Sequence, residues 1–353
     1  MFGGRYSVRC MLKKAFLQSI IATMLFAIVS CSHEEKKQIV CWGDSLTSPH
    51  TGNGIKGKVK RMNKNDLAYP EYLQDMLGDE YEIVNGGVGG ENTLTIMARQ
   101  GAYPMRLAHD IVIFKSDEAK YKTFIGNNDV SAFVSSYNGK SVTPLIQCGW
   151  NEDSPAQMNP CTVNDKNFHI SSESKIWKEE EGKYKVEYNY YIEADDEWTS
   201  TDTIKAGSIV NTYAMKKLRN KYANVFFVGQ NGGFDDAADL IRQLNAMIEY
   251  SKSKRYIVIS FHKPNEVMNT ISRMKEMEDS LSRSFGKHYI NLREYMINHG
   301  LEDAGLEPTQ EDKDSIAKGQ VPPQMMTDGC HFTTKGYEEI AKLVFDKIKE
   351  LGY

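Results

Sequence analysis

The chain has 353 residues, of which 41% are hydrophobic and 25% are charged, a composition typical of a globular protein with a sizeable buried core. Its formal net charge is −4, and no basic run is long enough to indicate nucleic-acid binding. Residues 1–30 contain four basic residues and no acid, so the remainder of the chain is more acidic than the whole. Such a protein is not expected to bind an anionic lipid surface through charge.

The first 30 residues have the pattern of an export signal. Basic residues precede a mostly apolar run, 15–29, which is too short and too interrupted to be a good membrane span. The run ends Ile28-Val29-Ser30-Cys31, which resembles the lipobox of bacterial lipoproteins, in which the cysteine becomes the lipidated first residue. A plain secretory signal is the alternative.

The lipobox resemblance implies a signal peptide over 1–30, a polar tether over 31–36 and a membrane contact through a lipid on Cys31. It also implies an exported lipoprotein anchored to the outer membrane, on the cell surface or the periplasmic face. An exported chain can form disulfides. Cys148 and Cys161 are the easiest local pair, but Cys41 and Cys330 also remain, and spacing does not establish the pairing. Because no cysteines have C-x-x-C spacing, no zinc site is predicted.

Most of the chain alternates between apolar runs and amphipathic segments. Strands are predicted over 38–42, 81–84, 224–228, 255–260 and 288–292, and helices over 67–77, 95–99, 210–222, 236–251, 267–285 and 334–351. Strands that alternate with helices predict an α/β fold with a parallel sheet and helices on both faces. Ligands of such sheets bind at the carboxyl ends of the strands.

Residues 102–207 have a different character. Strand-like runs over 110–114, 130–134 and 184–191 are separated by clusters of Asn, Gly, Asp and Ser, which predicts a β-rich subdomain inserted into the α/β domain. Trp150 and Trp177 lie in this segment and could stack on sugars. The core of a small β subdomain needs aromatic residues as well, so core packing is the favoured interpretation.

A short polar stretch, Gly43-Asp44-Ser45-Leu46, directly follows the first predicted strand. A glycine turn at this place lifts Ser45 to the edge of the sheet, which makes Ser45 a candidate nucleophile. A lone stretch of this kind is more often an ordinary strand-to-helix turn.

Three further stretches change that balance. Four glycines fall within 86–90, Gly229-Gln230-Asn231 follows another strand, and Asp328-Gly329-Cys330-His331 precedes the last helix. The four stretches in this order resemble the sequence blocks of the SGNH, or GDSL-type, hydrolases. The resemblance implies a three-layer α/β/α, flavodoxin-like SGNH hydrolase domain over 37–101 and 208–353.

The family's roles transfer to matching positions of this chain. The resemblance implies that Ser45 is the nucleophile, that His331 is its general base and that Asp328 orients the imidazole. It assigns the oxyanion hole to the backbone N–H groups of Ser45 and Gly90 and to the side-chain amide of Asn231. The reaction would pass through an acyl-serine and need no metal or organic cofactor.

Several positions leave alternatives open. Gly126-Asn127-Asn128-Asp129 matches the residue pattern of the family's third block more closely than Gly229-Gln230-Asn231-Gly232 does. In the latter, Gly232 stands where the block usually has Asp. Asn231 is preferred because it follows a strand, although it could be only a turn former. His331 could merely cap the last helix. His262 also follows a strand and could line the pocket or lie on the surface.

The sequence therefore predicts a serine esterase. Export and the inserted subdomain favour a carbohydrate O-acetyl esterase that acts on polysaccharide or oligosaccharide. The alternatives are a lipase or lysophospholipase, and a non-catalytic glycan-binding protein of the cell surface built on the same fold.

Overall fold

The structure is a computed structural model that describes residues 35–48, 67–114, 122–127, 129–133, 136–137, 140–141, 158–178, 184–194 and 200–353. The signal peptide, Cys31, Cys148 and Trp150 lie outside these ranges, so what the sequence predicts for them stays a prediction. The chain divides into two units, 1–36 and 37–353, and the elements below belong to the second. No helix in the described ranges combines the length and the apolar character that a bilayer span requires.

The strands and helices of the second unit are numbered in chain order. The strands are β1 (Lys37–Gly43), β2 (Tyr81–Gly87), β3 (Ile111–Ile113), β4 (Thr123–Asn127), β5 (Ser136–Tyr137), β6 (Lys140–Ser141), β7 (Cys161–Val163), β8 (Lys166–Lys178), β9 (Tyr184–Ala194), β10 (Asp202–Ile204), β11 (Ala223–Phe227), β12 (Tyr256–Ile259) and β13 (Tyr289–Ile290). The helices are α1 (Tyr69–Leu77), α2 (Thr93–Gln100), α3 (Tyr213–Lys217), α4 (Ala237–Ser251), α5 (Ile271–Phe285), α6 (Leu292–Asn298), α7 (Gly300–Asp303), α8 (Gln310–Ala317) and α9 (Thr334–Leu351).

The central sheet has five parallel strands in the order β2-β1-β11-β12-β13. Numbered along the chain, this order is 2-1-3-4-5, the flavodoxin-like arrangement of doubly wound folds. The predicted α/β fold with a parallel, flavodoxin-like sheet is therefore confirmed. The strand order reverses between β1 and β11, and such a reversal opens a crevice at the carboxyl edge of a parallel sheet.

Alternate side chains of the sheet enter two separate cores, because successive residues of a strand point to opposite faces. In β1, Ile39 and Cys41 pack with α1, α6, α7 and α9 on one face. Val40 and Trp42 pack with α2, α3, α4 and α5 on the other face. The molecule thus has three layers, and strands buried on both faces show the continuous apolar runs by which the sequence predicts them.

The described part of the predicted insertion is built from antiparallel strands. β4, β9, β8 and β7 form one sheet in that order, and β3 pairs with β10. A third core, which includes Phe168, Ile170 and Ile192, lies under these strands. The strand predictions at 110–114 and 184–191 are confirmed, with small shifts of their ends.

The strand predicted at 130–134 is wrong over its described residues, 130–133. The Asn127 side chain accepts hydrogen bonds from the backbone N–H groups of Asp129 and Val130, which turns the chain after β4. Among residues 130–133, Phe133 alone forms a bridge, an isolated one to Leu107. A local side-chain hydrogen bond has overridden the strand propensity of the apolar residues.

Several predicted helix limits also need correction. The helix predicted at 210–222 is shorter and corresponds to α3 (Tyr213–Lys217). The helix predicted at 267–285 corresponds to α5 and begins later, at Ile271. The Asn265 side chain accepts hydrogen bonds from Val267 N–H and Met268 N–H, and Thr270 then caps α5. Helices α6, α7 and α8 were not predicted, although the capping box of Thr309 with Asp312 marks the start of α8.

Candidate active site

Three neighbouring strands end together at the carboxyl edge of the sheet. In register, Gly43 at the end of β1 lies between Gly87 at the end of β2 and Phe227 at the end of β11. The loops that follow these strands contain Ser45, Gly90 and Asn231. Residues separated by almost 190 positions in the chain therefore reach one edge because their strands are parallel neighbours.

The turn that contains Ser45 is closed by its own backbone. The Asp44 carbonyl accepts hydrogen bonds from Thr47 N–H (3.1 Å) and Ser48 N–H (2.9 Å). Gly87 packs directly against this turn: a Cβ at position 87 would lie 2.5 Å from the Ser48 nitrogen and 2.9 Å from the Asp44 carbonyl oxygen. Only glycine allows so close an approach, and the approach leaves Ser45 half-buried beside the loop that follows β2.

A second turn, just before α9, carries Asp328 and His331. An isolated bridge between Met326 and Phe332 closes its base. Asp328 Oδ1 accepts hydrogen bonds from the backbone N–H groups of Cys330 (2.6 Å) and His331 (2.7 Å), which makes the turn rigid. Helix α9 is capped by Thr333, whose hydroxyl accepts from Gly336 N–H, so the alternative of His331 as the helix cap is wrong.

Ser45, His331 and Asp328 form a continuous line of hydrogen bonds. His331 Nε2 lies 2.9 Å from Ser45 Oγ, and His331 Nδ1 lies 2.9 Å from Asp328 Oδ2. These are normal hydrogen-bond lengths. The spacing of three residues between Asp328 and His331 brings their side chains together as expected, in a turn and not in a helix.

The protonation state of Asp328 suits an orienting role. Partial burial on its own would raise the pKa of the Asp328 carboxyl. Hydrogen bonds from the His331 backbone and side chain and from Cys330 N–H outweigh burial and lower the pKa to about 2. The carboxylate is therefore ionised near neutral pH and accepts the Nδ1–H of the imidazole, which leaves Nε2 able to accept a proton from Ser45.

Asn231 lies at the same edge and contacts both of the loops beside it. Its Nδ2 donates to the Asp44 Oδ2 (3.2 Å) and to the Glu91 carbonyl (3.0 Å). Asn231 is thus more than a former of its own turn. Asn127 of the alternative block lies in β4, where its side chain accepts from the following turn; Asn128 is outside the described residues.

The backbone donors assigned to the oxyanion hole are available in the described part of the chain. Gly90 has φ of +81°, a conformation that residues with a Cβ rarely adopt. No hydrogen bond among the described residues uses the N–H of Ser45 or that of Gly90. Both N–H groups can therefore donate to a substrate oxygen.

Two buried carboxylates lie behind these loops, and sequence reasoning did not find their role. Asp44 and Glu91 are each 1% exposed. Glu91 forms a buried ion pair with Arg99, in which Arg99 Nε contacts both carboxylate oxygens at 3.1 and 2.9 Å. Arg99 also donates to the Gly86 carbonyl and lies 5.6 Å from the centre of the Trp42 ring. No sequence pattern links the Glu91–Arg99 pair, because its members lie in a loop and in the last turn of α2.

The environments of these two carboxylates differ. Burial raises the pKa of Asp44 to about 7, and the hydrogen bond from Leu46 N–H opposes this rise. Burial also raises the pKa of Glu91, against the effect of Arg99. Asp44 is thus held by neutral donors, whereas Glu91 has a cationic partner.

The loop after β12 supports the turn of Asp328 and His331. His262 is only 2% exposed and packs its ring 4.6 Å from that of Phe332, so the surface role considered for it is wrong. Burial lowers the pKa of His262 to about 3, which keeps the imidazole neutral. Beside it, Lys263 Nζ donates to the Gly329 carbonyl at 2.6 Å. In the described ranges, no group of three or more His, Cys, Asp or Glu side chains could hold a metal ion.

Comparisons with known proteins add little to this geometry. No protein-family model matches the chain, and no curated protein matches it in sequence. Among solved structures it is similar to an aryl esterase of M. smegmatis, at 11% identity and a TM-score of 0.37, over 89% of this chain and 99% of that one. It is also similar to a carbohydrate acetylesterase of Sinorhizobium meliloti, at 10% identity and a TM-score of 0.37, over 90% and 100% of the two chains. Likenesses this weak carry no argument about the chemistry of this chain.

Proposed function

We propose that this protein is a serine ester hydrolase of the SGNH type and that Ser45, His331 and Asp328 are its catalytic residues. The observation that carries the proposal is the pair of 2.9 Å contacts from Ser45 Oγ to His331 Nε2 and from His331 Nδ1 to Asp328 Oδ2. A helix cap or a structural histidine needs neither a serine on one nitrogen nor an ionised carboxylate on the other.

Acylation follows from this geometry. A serine hydroxyl is a weak nucleophile until a base removes its proton. His331 Nε2 takes the proton as Ser45 Oγ attacks the ester carbonyl, a form of catalysis worth roughly 10²–10⁴-fold. Asp328 holds the imidazole in the required tautomer and stabilises the imidazolium that forms. The same imidazolium then gives its proton to the leaving alcohol.

The tetrahedral intermediate places negative charge on the former carbonyl oxygen. The N–H groups of Ser45 and Gly90 and the amide of Asn231 come from three loops at the same sheet edge and supply its donors. Each such donor is worth about 2.7–4 kcal/mol in the transition state. His331 Nε2 then takes a proton from a water molecule as the water oxygen attacks the acyl-serine. The bond to Ser45 Oγ breaks, the carboxylic acid leaves, and the imidazolium returns the proton to Ser45 Oγ.

The direct test is hydrolysis of p-nitrophenyl acetate by the wild type and by Ser45→Ala. We expect steady turnover by the wild type and a rate at background for the variant, because the acyl-serine cannot form without Oγ. Thermal unfolding of both proteins is the control, since Ser45 contributes only one half-buried hydroxyl. Equal rates for the two folded proteins would contradict the proposal.

For the substrate, the proposal extends to O-acetyl groups of polysaccharide or oligosaccharide. Three features support it: the predicted lipid anchor on Cys31, the acidic charge of the exported chain and the β-rich insertion. On the insertion, Phe124 is 48% exposed and lies edge-on to Tyr191, with 6.0 Å between ring centres. The exposed ring of Phe124, supported by the partly buried Tyr191, offers an apolar face to a sugar ring.

Acetate release from a panel of acetylated glycans tests the substrate class. We expect release by the wild type, none by Ser45→Ala, and faster turnover of the acetyl than of the octanoyl p-nitrophenyl ester. A preference for the octanoyl ester would favour the lipase or lysophospholipase alternative. Glycan binding without turnover of any ester would favour a non-catalytic surface protein.

A further inference from the structure

The buried carboxyl of Asp44 connects two parts of the active site that are 187 residues apart in sequence. Its Oδ1 accepts the N–H of Leu46, the residue after Ser45, at 2.8 Å. Its Oδ2 accepts the side-chain amide of Asn231 at 3.2 Å. One side chain therefore binds the turn of the nucleophile on one oxygen and the amide of the oxyanion hole on the other.

The partners of Asn231 show why this contact matters. An Asn side chain has two N–H groups, and here Nδ2 donates to Asp44 Oδ2 and to the Glu91 carbonyl. An oxyanion that forms on the substrate needs one of them. The bond to Asp44 joins the amide to the turn of Ser45, because the other oxygen of Asp44 accepts Leu46 N–H. If this bond is kept, the amide stays in place while it exchanges or shares the bond to the Glu91 carbonyl as the oxyanion forms.

The surroundings of Asp44 fit a role beyond stability. A buried carboxyl is costly unless it is paired or hydrogen-bonded. No cation forms an ion pair with Asp44 in the described part of the chain, whereas the neighbouring Glu91 has Arg99. An apolar residue at position 44 would remove this cost, but it would leave the Asn231 amide without one of its two acceptors.

From these contacts we infer that Asp44 is a positioning residue of the hydrolase: it fixes the Asn231 amide relative to Ser45 so that one amide N–H can turn to the oxyanion. The inference rests on the proposed function, because it describes how the donor of that reaction is held. It is independent of the substrate class, since the oxyanion is the same for every carboxylic ester.

A double-mutant cycle over Asp44→Asn, Asn231→Ala and their combination tests the inference. Asparagine at 44 keeps an acceptor for Leu46 N–H but presents N–H groups to the Asn231 amide. We expect Asp44→Asn to lower kcat by about 10- to 100-fold with little change in KM, because misplacing a catalytic group is that costly. Asn231→Ala should lower kcat by about 10²- to 10³-fold.

The kcat of the combined variant shows whether Asp44 acts through Asn231. If Asp44 acts through Asn231, Asp44→Asn should change kcat by less than about threefold once Asn231 is alanine, because the two effects are not additive. Asp312→Asn is the matched control. It also loses a buried carboxylate, one that bonds to Thr309 and Gln324, and it should leave kcat unchanged.

The other possible outcomes also support or overturn the inference. A full additional loss from Asp44→Asn in the Asn231→Ala background, or no loss in the wild-type background, would overturn the inference. If the wild type hydrolyses no ester, the proposed function fails. Thermal unfolding of the wild type, the two single variants and the combined variant then tests the contact between Asp44 and Asn231. A non-additive loss of Tm would then support Asp44 as the residue that holds Asn231, and an additive loss would overturn this role.

Discussion

In the parallel sheet, three neighbouring strands end side by side and their loops bring together Ser45, Gly90 and Asn231. In residues 102–207, the predicted insertion, antiparallel strands such as β8 and β9 by contrast pair residues that lie close together in sequence. Hydrogen bonds connect Ser45 to His331 and Asn231 to Asp44, and all four side chains belong to the α/β part. No described residue of 102–207 hydrogen-bonds to any of these side chains.

This difference separates two tasks. A parallel sheet gathers chain-distant residues at one edge, which suits a catalytic site that needs a nucleophile, a base and several donors. An antiparallel sheet with its own core can change its loops and faces without disturbing that edge. Changes at the edge should therefore affect turnover, whereas changes in the core of the insertion should affect stability.

The largest effect is expected from His331→Gln. Glutamine can hydrogen-bond to Ser45 but cannot take its proton, so kcat should fall by about 10³- to 10⁴-fold. The measurement is steady-state hydrolysis of p-nitrophenyl acetate, with urea unfolding as the control. The free energy of unfolding should change little, because the His331 side chain is partly exposed. A loss of less than tenfold would show that another group is the base.

A smaller loss, of both turnover and stability, is expected from Gly87→Ala. The new Cβ would push on the Ser48 nitrogen and the Asp44 carbonyl, and such overpacking costs about 1–3 kcal/mol of unfolding free energy. Because the strain falls on the turn of Ser45, kcat should fall as well.

Gly329→Ala is the control for this stability loss, since a Cβ at position 329 would meet no atom within 4 Å. Urea unfolding of both variants gives the comparison. If Gly87→Ala is as stable as the wild type, the close packing between the two loops is not as described.

The insertion supplies the opposite case in Phe168→Ala. Phe168 is fully buried in the third core, so its loss should cost about 3–5 kcal/mol of stability, while kcat per folded molecule stays within about twofold of the wild type. Phe226 is equally buried in β11, the strand that leads into the loop of Asn231, so Phe226→Ala should lower both stability and kcat. An equal loss of kcat in the two variants would remove the separation between the two parts of the molecule.

The smallest effect is a difference in how stability depends on pH. Burial raises the pKa of Asp44 from its ordinary 3.8 to about 7, so the folded protein retains a proton that the unfolded chain has released. Stability from this group is full below the ordinary pKa and is lost as the pH rises toward 7. Asp44→Asn has no titratable carboxyl at this position. Its unfolding free energy should therefore fall less than that of the wild type between pH 4 and pH 7.

Urea unfolding at several pH values measures this difference. The titratable groups that interact with Asp44 are Glu91, His331, Cys330 and Tyr337. All four remain in the variant, so their contributions largely cancel in the comparison. Parallel curves for the two proteins would mean that Asp44 is not held in a protonated state by burial.

The comparison of the two regions also explains what the sequence could predict. The five central strands are buried on both faces, so they are visible in the sequence as apolar runs. Short stretches rich in glycine follow several of them and mark the carboxyl edge of the sheet. The close spacing of Asp328 and His331 likewise predicts their contact. Helix α5 starts late because the Asn265 side chain forms a turn, and the run at 130–134 is bent by Asn127. Such local competition is not visible in apolar periodicity.

Tertiary partners were the least predictable. Nothing in the sequence pairs Asp44 with Asn231, because the contact depends on β1 and β11 being neighbours. The ion pair of Glu91 with Arg99 has no characteristic spacing. His262 could be placed on a strand end, but only its packing against Phe332 shows that it is buried.

The most direct test of the central claim is peptide mass spectrometry after reaction with a fluorophosphonate. If Ser45 is a nucleophile activated by His331, the wild type should gain one phosphonyl group on Ser45. Ser45→Ala should gain none, and His331→Gln should react far more slowly. A folded wild type that gains no adduct, or gains it on another residue, would contradict the assignment of Ser45, His331 and Asp328 as a catalytic triad.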